Sequence, residues 1–236
     1  MRLVNTGIPG LDEILKGGVL ENSSVLVTGP PGTGKSIFAL QFALGGINNK
    51  EPGLFISSEE SEEAIRMSAE SLGINLDIYK EQFFMFVPNL TKSELFSLNE
   101  PINLIKKKKI KRVVLDSLTL FKFVYGRSEL EFRSGVRDFL INMKKLGVTL
   151  MATSEKSLND LDRIPYDTQD FLFEGLIFLT KIRRGNSFER VIFVSKMRGQ
   201  DHLLEAFPFT IKEGGITVFT KQLPFSFMSN EKETKY

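Results

Sequence analysis

Residues 24–37 read Ser24-Val25-Leu26-Val27-Thr28-Gly29-Pro30-Pro31-Gly32-Thr33-Gly34-Lys35-Ser36-Ile37. Ser24 to Thr28 is a short, apolar, β-branched run of the kind that forms a buried strand, and Ile37 to Leu44 is apolar at helical density. Between them, Gly29 to Ser36 matches the Walker A pattern G-x-x-x-x-G-K-[ST] in full. Gly32 and Gly34 permit backbone conformations that aim successive N–H groups inward. The start of the following helix adds its positive dipole end. Gly29, Pro30, Pro31, Gly32, Thr33 and Gly34 therefore form a cradle for phosphate oxygens. Lys35 reaches the β- and γ-phosphates, and Ser36 offers a hydroxyl to Mg²⁺. An ordinary glycine turn ahead of a helix is the competing reading, and the flanking strand and helix disfavour it.

Outward from this loop, short β-rich runs alternate with helical ones. Gly53–Ser57, Phe83–Val87, Arg112–Asp116 and Val148–Thr153 read as strands; Glu62–Leu72, Leu98–Lys109 and Leu130–Leu146 read as helices. Gly73 and Gly147 stand where helices commonly end. This alternation predicts an α/β fold with a mainly parallel central sheet. After residue 170, Leu172–Ile182 with Phe188–Ser195, and Phe207–Ile211 with Ile216–Thr220, read as antiparallel β-hairpins. We expect one domain over residues 1–228 and a polar tail over 229–236 that frays.

Composition is that of an ordinary globular chain: 236 residues, 42% hydrophobic and 25% charged, with a net charge of +2. The balance gives no global basic field pointing to nucleic acid. The absence of cysteine excludes disulfides, thiol nucleophiles and thiolate metal sites, and fits a reducing cytoplasm. The apolar stretch Phe171–Thr180 is interrupted by Glu174 and Gly175 and falls short of the roughly 20 residues a membrane helix needs. A cytoplasmic protein without a membrane segment is expected.

Two further elements bear on chemistry. Arg112-Val113-Val114-Leu115-Asp116 is an apolar strand ending in a carboxylate, the form of a Walker B element, in which Asp116 holds Mg²⁺ through its water shell. Glu59 and Glu60 directly follow another strand, where ligands bind in open α/β sheets. One can polarise the attacking water while the other positions it or the metal, which makes Glu60 a further metal candidate. The same pair also suits the acidic start of a helix.

The opening Asn5-Thr6-Gly7-Ile8-Pro9-Gly10-Leu11-Asp12, then Gly17-Gly18, resembles KaiC-domain proteins of the RecA/RadA superfamily, as do Ser57-Ser58-Glu59-Glu60, Val113–Ser117, Met151–Glu155 and Lys196-Met197-Arg198-Gly199. The resemblance runs from about residue 4 to 221 and covers one domain. It implies a RecA-like P-loop NTPase core that hydrolyses ATP with Mg²⁺ and assembles into a ring, most often a hexamer, with ATP at subunit boundaries. Lys35, Glu59 and Glu60 would act on the loop side of each site. Lys196 and Arg198 match the family's basic residues that complete a neighbour's site, a cation worth about 10³–10⁵ in rate where best known. His202 and Ser71 match positions near the bound nucleotide. Self-phosphorylating members carry adjacent hydroxyls just before the first strand of the carboxyl hairpin. Here those positions read Asp170-Phe171, and Thr168 is out of register. The expected output is regulatory, through nucleotide-dependent contacts with a protein partner.

Recombinases share this core, so DNA binding is the alternative. The loop from Glu155 to Asp170 carries three net negative charges, which disfavours phosphate-backbone binding. Phe121, Phe123 and Tyr125 interleave with Lys122 and Arg127, a combination suited either to base stacking or to core packing. The basic run Lys106–Arg112 suits a solvated helix end. Because the sequence opens directly on the ATPase core, no separate amino-terminal DNA-binding domain of the RadA-like kind is expected.

Overall fold

The computed structural model describes residues 2–88, 99–125, 128–157, 163–164 and 166–224. In chain order these form β1 (Leu3–Val4), α1 (Leu11–Ile14), β2 (Val19–Leu20), β3 (Ser24–Gly29), α2 (Lys35–Gly45), β4 (Gly53–Ser57), α3 (Glu62–Ser71), β5 (Phe83–Phe86), α4 (Asn99–Lys108), β6 (Arg112–Asp116), α5 (Thr119–Tyr125), α6 (Glu129–Lys145), β7 (Thr149–Glu155), β8 (Gly175–Arg184), β9 (Ser187–Met197), β10 (Phe207–Lys212) and β11 (Gly215–Val218). The main sheet has the order β11-β10-β9-β8-β3-β7-β6-β4-β5. Pairing is parallel from β8 to β5 and antiparallel from β8 to β11. The α/β class, the parallel centre and the carboxyl-terminal hairpins are as the sequence predicts.

Alternation along the strands builds two cores. Val25 and Val27 of β3 face one way, with Ile177 and Leu179 of β8, against Phe38 and Phe42 of α2. Leu26, Leu115 and Phe178 face the other way, against Phe139 of α6. In α6 the buried positions Phe132, Val136, Phe139 and Met143 fall on one stripe. Ser128 caps that helix by accepting from Glu131 N at 3.1 Å. In α3, Ser61 caps the start, and Gly73 (φ 72°) ends it with Ile74 N donating to Ala69 O at 2.9 Å.

The first residues are tied down by their own motif. Asp12 accepts from Thr6 N at 2.9 Å and from Thr6 Oγ1 at 2.7 Å. Gly7 (φ 75°) lies so close to α2 that a Cβ there would sit 2.5 Å from Gly45 Cα. Gln200 clamps the β1–β2 ribbon, donating to Leu15 O and Gly18 O and accepting from Leu20 N. Asn5–Asp12 thus serves packing.

Several expectations shift. The first carboxyl hairpin strand starts at Gly175 instead of Leu172, because Thr168–Phe171 forms a 3₁₀ turn and Glu174 turns back to accept from Ser24 N and Oγ. β5 stops at Phe86, and β7 runs on to Glu155. Phe121 lies in a helix, buried and packed on Tyr125 and Phe139, with ring centroids 5.9 and 5.2 Å away. It is therefore no base-stacking platform; the Phe123 side chain and Arg127 lie outside the described residues. Arg112, counted with the solvated lysines, is 1% exposed and pairs with Glu51 at 2.7 Å, while Lys106–Lys109 and Lys111 are exposed. A hydrogen bond from Arg112 Nη1 to Phe42 O completes its environment, so the charge is buried but satisfied. The tail beyond residue 224 lies outside the described residues.

Candidate nucleotide site

The glycine loop leaves β3 and enters α2 at the carboxyl ends of the parallel strands, where open α/β sheets bind ligands. Gly32 (φ 69°) and Gly34 (φ 103°) occupy backbone conformations that L side chains rarely adopt. At Gly34 space forbids a side chain as well, since a Cβ would meet Ile211 Cδ1 at 2.6 Å. Lys35 begins α2 and is buried, its Nζ donating to Gly29 O and Pro30 O at 3.0 Å each. Burial holds this ammonium below the ordinary lysine range, while Glu155, Asp116 and Glu59 oppose that shift.

The carboxylates arrive by strand adjacency. Ser57 and Asp116 pair in register at the ends of β4 and β6, and β7 separates β6 from β3. Asp116 is buried and accepts from Thr153 Oγ1 of β7; Ser36 also bonds its side chain. Burial pushes its carboxyl up, and the Thr153 and Ser36 hydrogen bonds pull the other way. After β4, Ser57 Oγ donates to Glu60 O and accepts from Glu60 N, which fixes the turn. Glu59 accepts from Ser117 Oγ. Glu60 is half-buried, and burial, then Asp116, then Glu59 raise its carboxyl above the usual range. The result is a cleft, open to solvent, lined by Gly32, Gly34, Lys35, Ser36, both glutamates and Asp116.

This donor set fits Mg²⁺ beside a triphosphate. Magnesium is held through one or two carboxylates and substrate phosphates, with waters filling the rest, and Ser36 and Asp116 stand together for that task. The shift on Asp116 has a stability consequence. A folded-state carboxyl raised above its unfolded value destabilises the chain as pH rises through that window, and the cost is fully present above it. Asp116→Asn should therefore raise the thermal midpoint of the protein without added nucleotide at neutral pH. The advantage should vanish below about pH 4, and Mg²⁺ dependence of nucleotide binding should be lost. A midpoint unchanged or lowered at pH 7 contradicts this; melting curves across pH decide it.

Ser71, Lys196, Arg198 and His202 lie outside the residues lining this cleft. Ser71 is exposed and donates to Ser68 O, while Ser68 itself lines the cleft. His202 Nδ1 is 2.9 Å from Leu203 O. Lys196 lies at the end of β9 opposite Leu176 of β8, and Arg198, one residue beyond β9, donates its backbone N–H to Glu174 O just before β8. That is the amino-terminal end of the parallel strands, about four residues or ~13 Å along the sheet from Gly29. Both donate to neighbouring carbonyls, Lys196 to Asp170 O at 2.7 Å and Arg198 to Phe171 O at 3.1 Å, so the i, i+2 spacing puts them on one face. Sequence reasoning assigned no role to Thr153 or Ser117, which orient Asp116 and Glu59. Their signal was place alone, beside or one residue beyond a strand-end carboxylate.

A glycine loop of this pattern at the head of a sheet of this order, with strand-end carboxylates two and three strands away, defines a P-loop ATPase domain of RecA-like fold. The family model described as the KaiC ATPase matches residues 4–223, and the chain belongs to that family. Over 229 residues it is 33% identical to the circadian clock oscillator protein KaiC of Parasynechococcus marenigrum (strain WH8102), covering 91% of this chain and 44% of that protein. It is 34% identical to the same-named protein of Prochlorococcus marinus subsp. pastoris (92% and 45%) and 30% identical to that of Synechococcus elongatus (92% and 44%). The chain spans less than half the length of these curated relatives. Among the described residues no helix is long and apolar enough to cross a membrane.

Proposed function

We propose that this chain binds MgATP in the loop Gly29–Ser36 and hydrolyses it in a site completed by Lys196 and Arg198 of a neighbouring copy, in a cytoplasmic homohexameric ring. The observation that carries the shared site is the placement of those two cations. They share one face at the end of the sheet remote from their own glycine loop, so they suit service to another copy. Ser71 and His202 are assigned to the same boundary, near the nucleotide.

Loop amides from Gly29 to Gly34 hold phosphate oxygens, and Lys35 leaves the carbonyls of Gly29 and Pro30 for the phosphates. Mg²⁺, when bound, would supply charge neutralisation for the phosphate oxygens. Ser36 and Asp116 would hold that ion, with Glu60 a further candidate ligand. Glu60, its carboxyl raised by burial and its acidic neighbours, takes the proton from the attacking water. Glu59, held by Ser117 Oγ, sets the local field beside Glu60. Lys196 and Arg198 of the neighbour offset charge developing on the γ-phosphoryl group.

Hydrolysis is favoured over self-phosphorylation, because Asp170 is a buried, ion-paired carboxylate and Phe171 a phenyl group where a hydroxyl would be needed. A protein partner that senses the nucleotide state is favoured over nucleic acid, since Phe121 is committed to the core. Native mass spectrometry with and without MgATP tests the assembly. A shift to multiples of the single-chain mass, centred on six, is expected; a mass that stays at one chain under both conditions rejects the shared site.

A further inference from the structure

Asp170 is 1% exposed and Lys156 nearly as buried, and the two form an ion pair. Asp170 Oδ2 also accepts from Asp167 N at 2.9 Å, closing a capping box on the 3₁₀ turn Thr168–Phe171. The last two carbonyls of that turn, Asp170 O and Phe171 O, are the acceptors for Lys196 and Arg198. The Lys196 ammonium lies over the Phe171 ring, 5.9 Å from its centroid. The turn is therefore a seat for both cations, and the buried pair anchors the seat.

The anchor also reaches the chain's own glycine loop. Lys156 directly follows the cleft residue Glu155, and its backbone N–H donates to Gly29 O at 3.1 Å, the same carbonyl that receives Lys35 Nζ. One short run of bonds thus joins the phosphate loop, through Lys156 and Asp170, to two cations at the opposite end of the sheet.

We propose that Asp170, with Lys156, is a positioning residue for the cations this chain lends to its neighbour, and that it ties their placement to the chain's own phosphate loop. This rests on the shared-site reading above. Its energetic logic is that of a buried pair: without Lys156 the Asp170 carboxylate would be an uncompensated charge in the interior, and Lys156 joins Asp170 to Asp167, 3.0 Å away, so the turn and the end of β7 hold or shift together. Misplacing a catalytic cation by about 1 Å costs on the order of 10²-fold in rate.

Asp170→Asn is expected to lower kcat by about 10- to 100-fold with KM for ATP within about twofold. Mixed assemblies then locate the defect. Asp170→Asn mixed with Lys35→Ala should recover activity, because the Lys35→Ala copy still lends intact cations. Asp170→Asn mixed with Arg198→Ala should recover none, because both copies are defective in what they lend. Recovery in that second mixture, or wild-type kcat in Asp170→Asn, overturns the proposal. If the single variant melts early, Lys156→Met with Asp170→Leu removes both charges at similar volume and enters the same mixtures with the same expected outcomes. Mixing Lys35→Ala with Arg198→Ala is the control. No recovery there, in confirmed mixed rings, overturns the shared-site reading and this proposal with it. Recovery there upholds the shared site, so that a failure in the Asp170→Asn mixtures then counts against the role of Asp170 alone.

Discussion

Replacing Glu60 by glutamine should lower the rate of ATP hydrolysis by about 10²–10⁴ while leaving ATP affinity within about threefold. The asymmetry between the two adjacent glutamates motivates the choice. Glu59 spends its carboxylate on Ser117 Oγ, which anchors it to the end of β6. Glu60 has its backbone fixed by Ser57 and its carboxyl raised by burial and by Asp116 and Glu59, which makes it the stronger proton acceptor. Glu59→Gln should cost less, since an amide still bonds Ser117, and the double variant should be at least as slow as Glu60→Gln alone. Steady-state phosphate release beside equilibrium nucleotide binding separates these effects. Full turnover in Glu60→Gln removes the assigned base, and a parallel loss of affinity would make Glu60 chiefly a binding or metal group.

Loss of the lent cation should be comparably severe. Arg198→Ala is expected to reduce kcat by about 10³-fold, the lower end of what a cation supplied in trans contributes to phosphoryl transfer. Arg198 is exposed and its side chain donates to a neighbouring carbonyl at 3.1 Å, so the fold should survive its removal with a thermal midpoint near that of the parent. Lys196→Ala should add to the loss, since its ammonium sits on the same turn. A kcat unchanged by Arg198→Ala would leave the cation without a role in the transition state.

Much of this architecture is legible in the chain because its local signals agree. The strand–glycine–helix passage at Ser24–Ile37, the capped helices after Ser61 and Ser128, and the glycine stops at Gly73 and Gly147 each have a local physical cause. The loop residues, Asp116 and the glutamate pair come together because parallel strands deliver their ends to one edge, a consequence of topology that alternation predicts. What escaped reading is long-range. Arg112 looks like one more basic residue until Glu51, sixty-one positions earlier, is brought beside it. Phe121 suits stacking or core equally until α6 packs over it. Asp170 reads as one acid in an acidic loop, and only the fold buries it against Lys156. Pattern reports a residue's neighbours in sequence, and pairing across the sheet assigns the rest.

Direct titration of the wild-type chain and of Lys35→Ala with MgATP bears most closely on capture of a triphosphate by Gly29–Ser36. Saturable, magnesium-dependent binding by the wild type with at least a tenfold loss in Lys35→Ala is the expected result. Equal affinity in both proteins, or binding by neither while both remain folded, would contradict it.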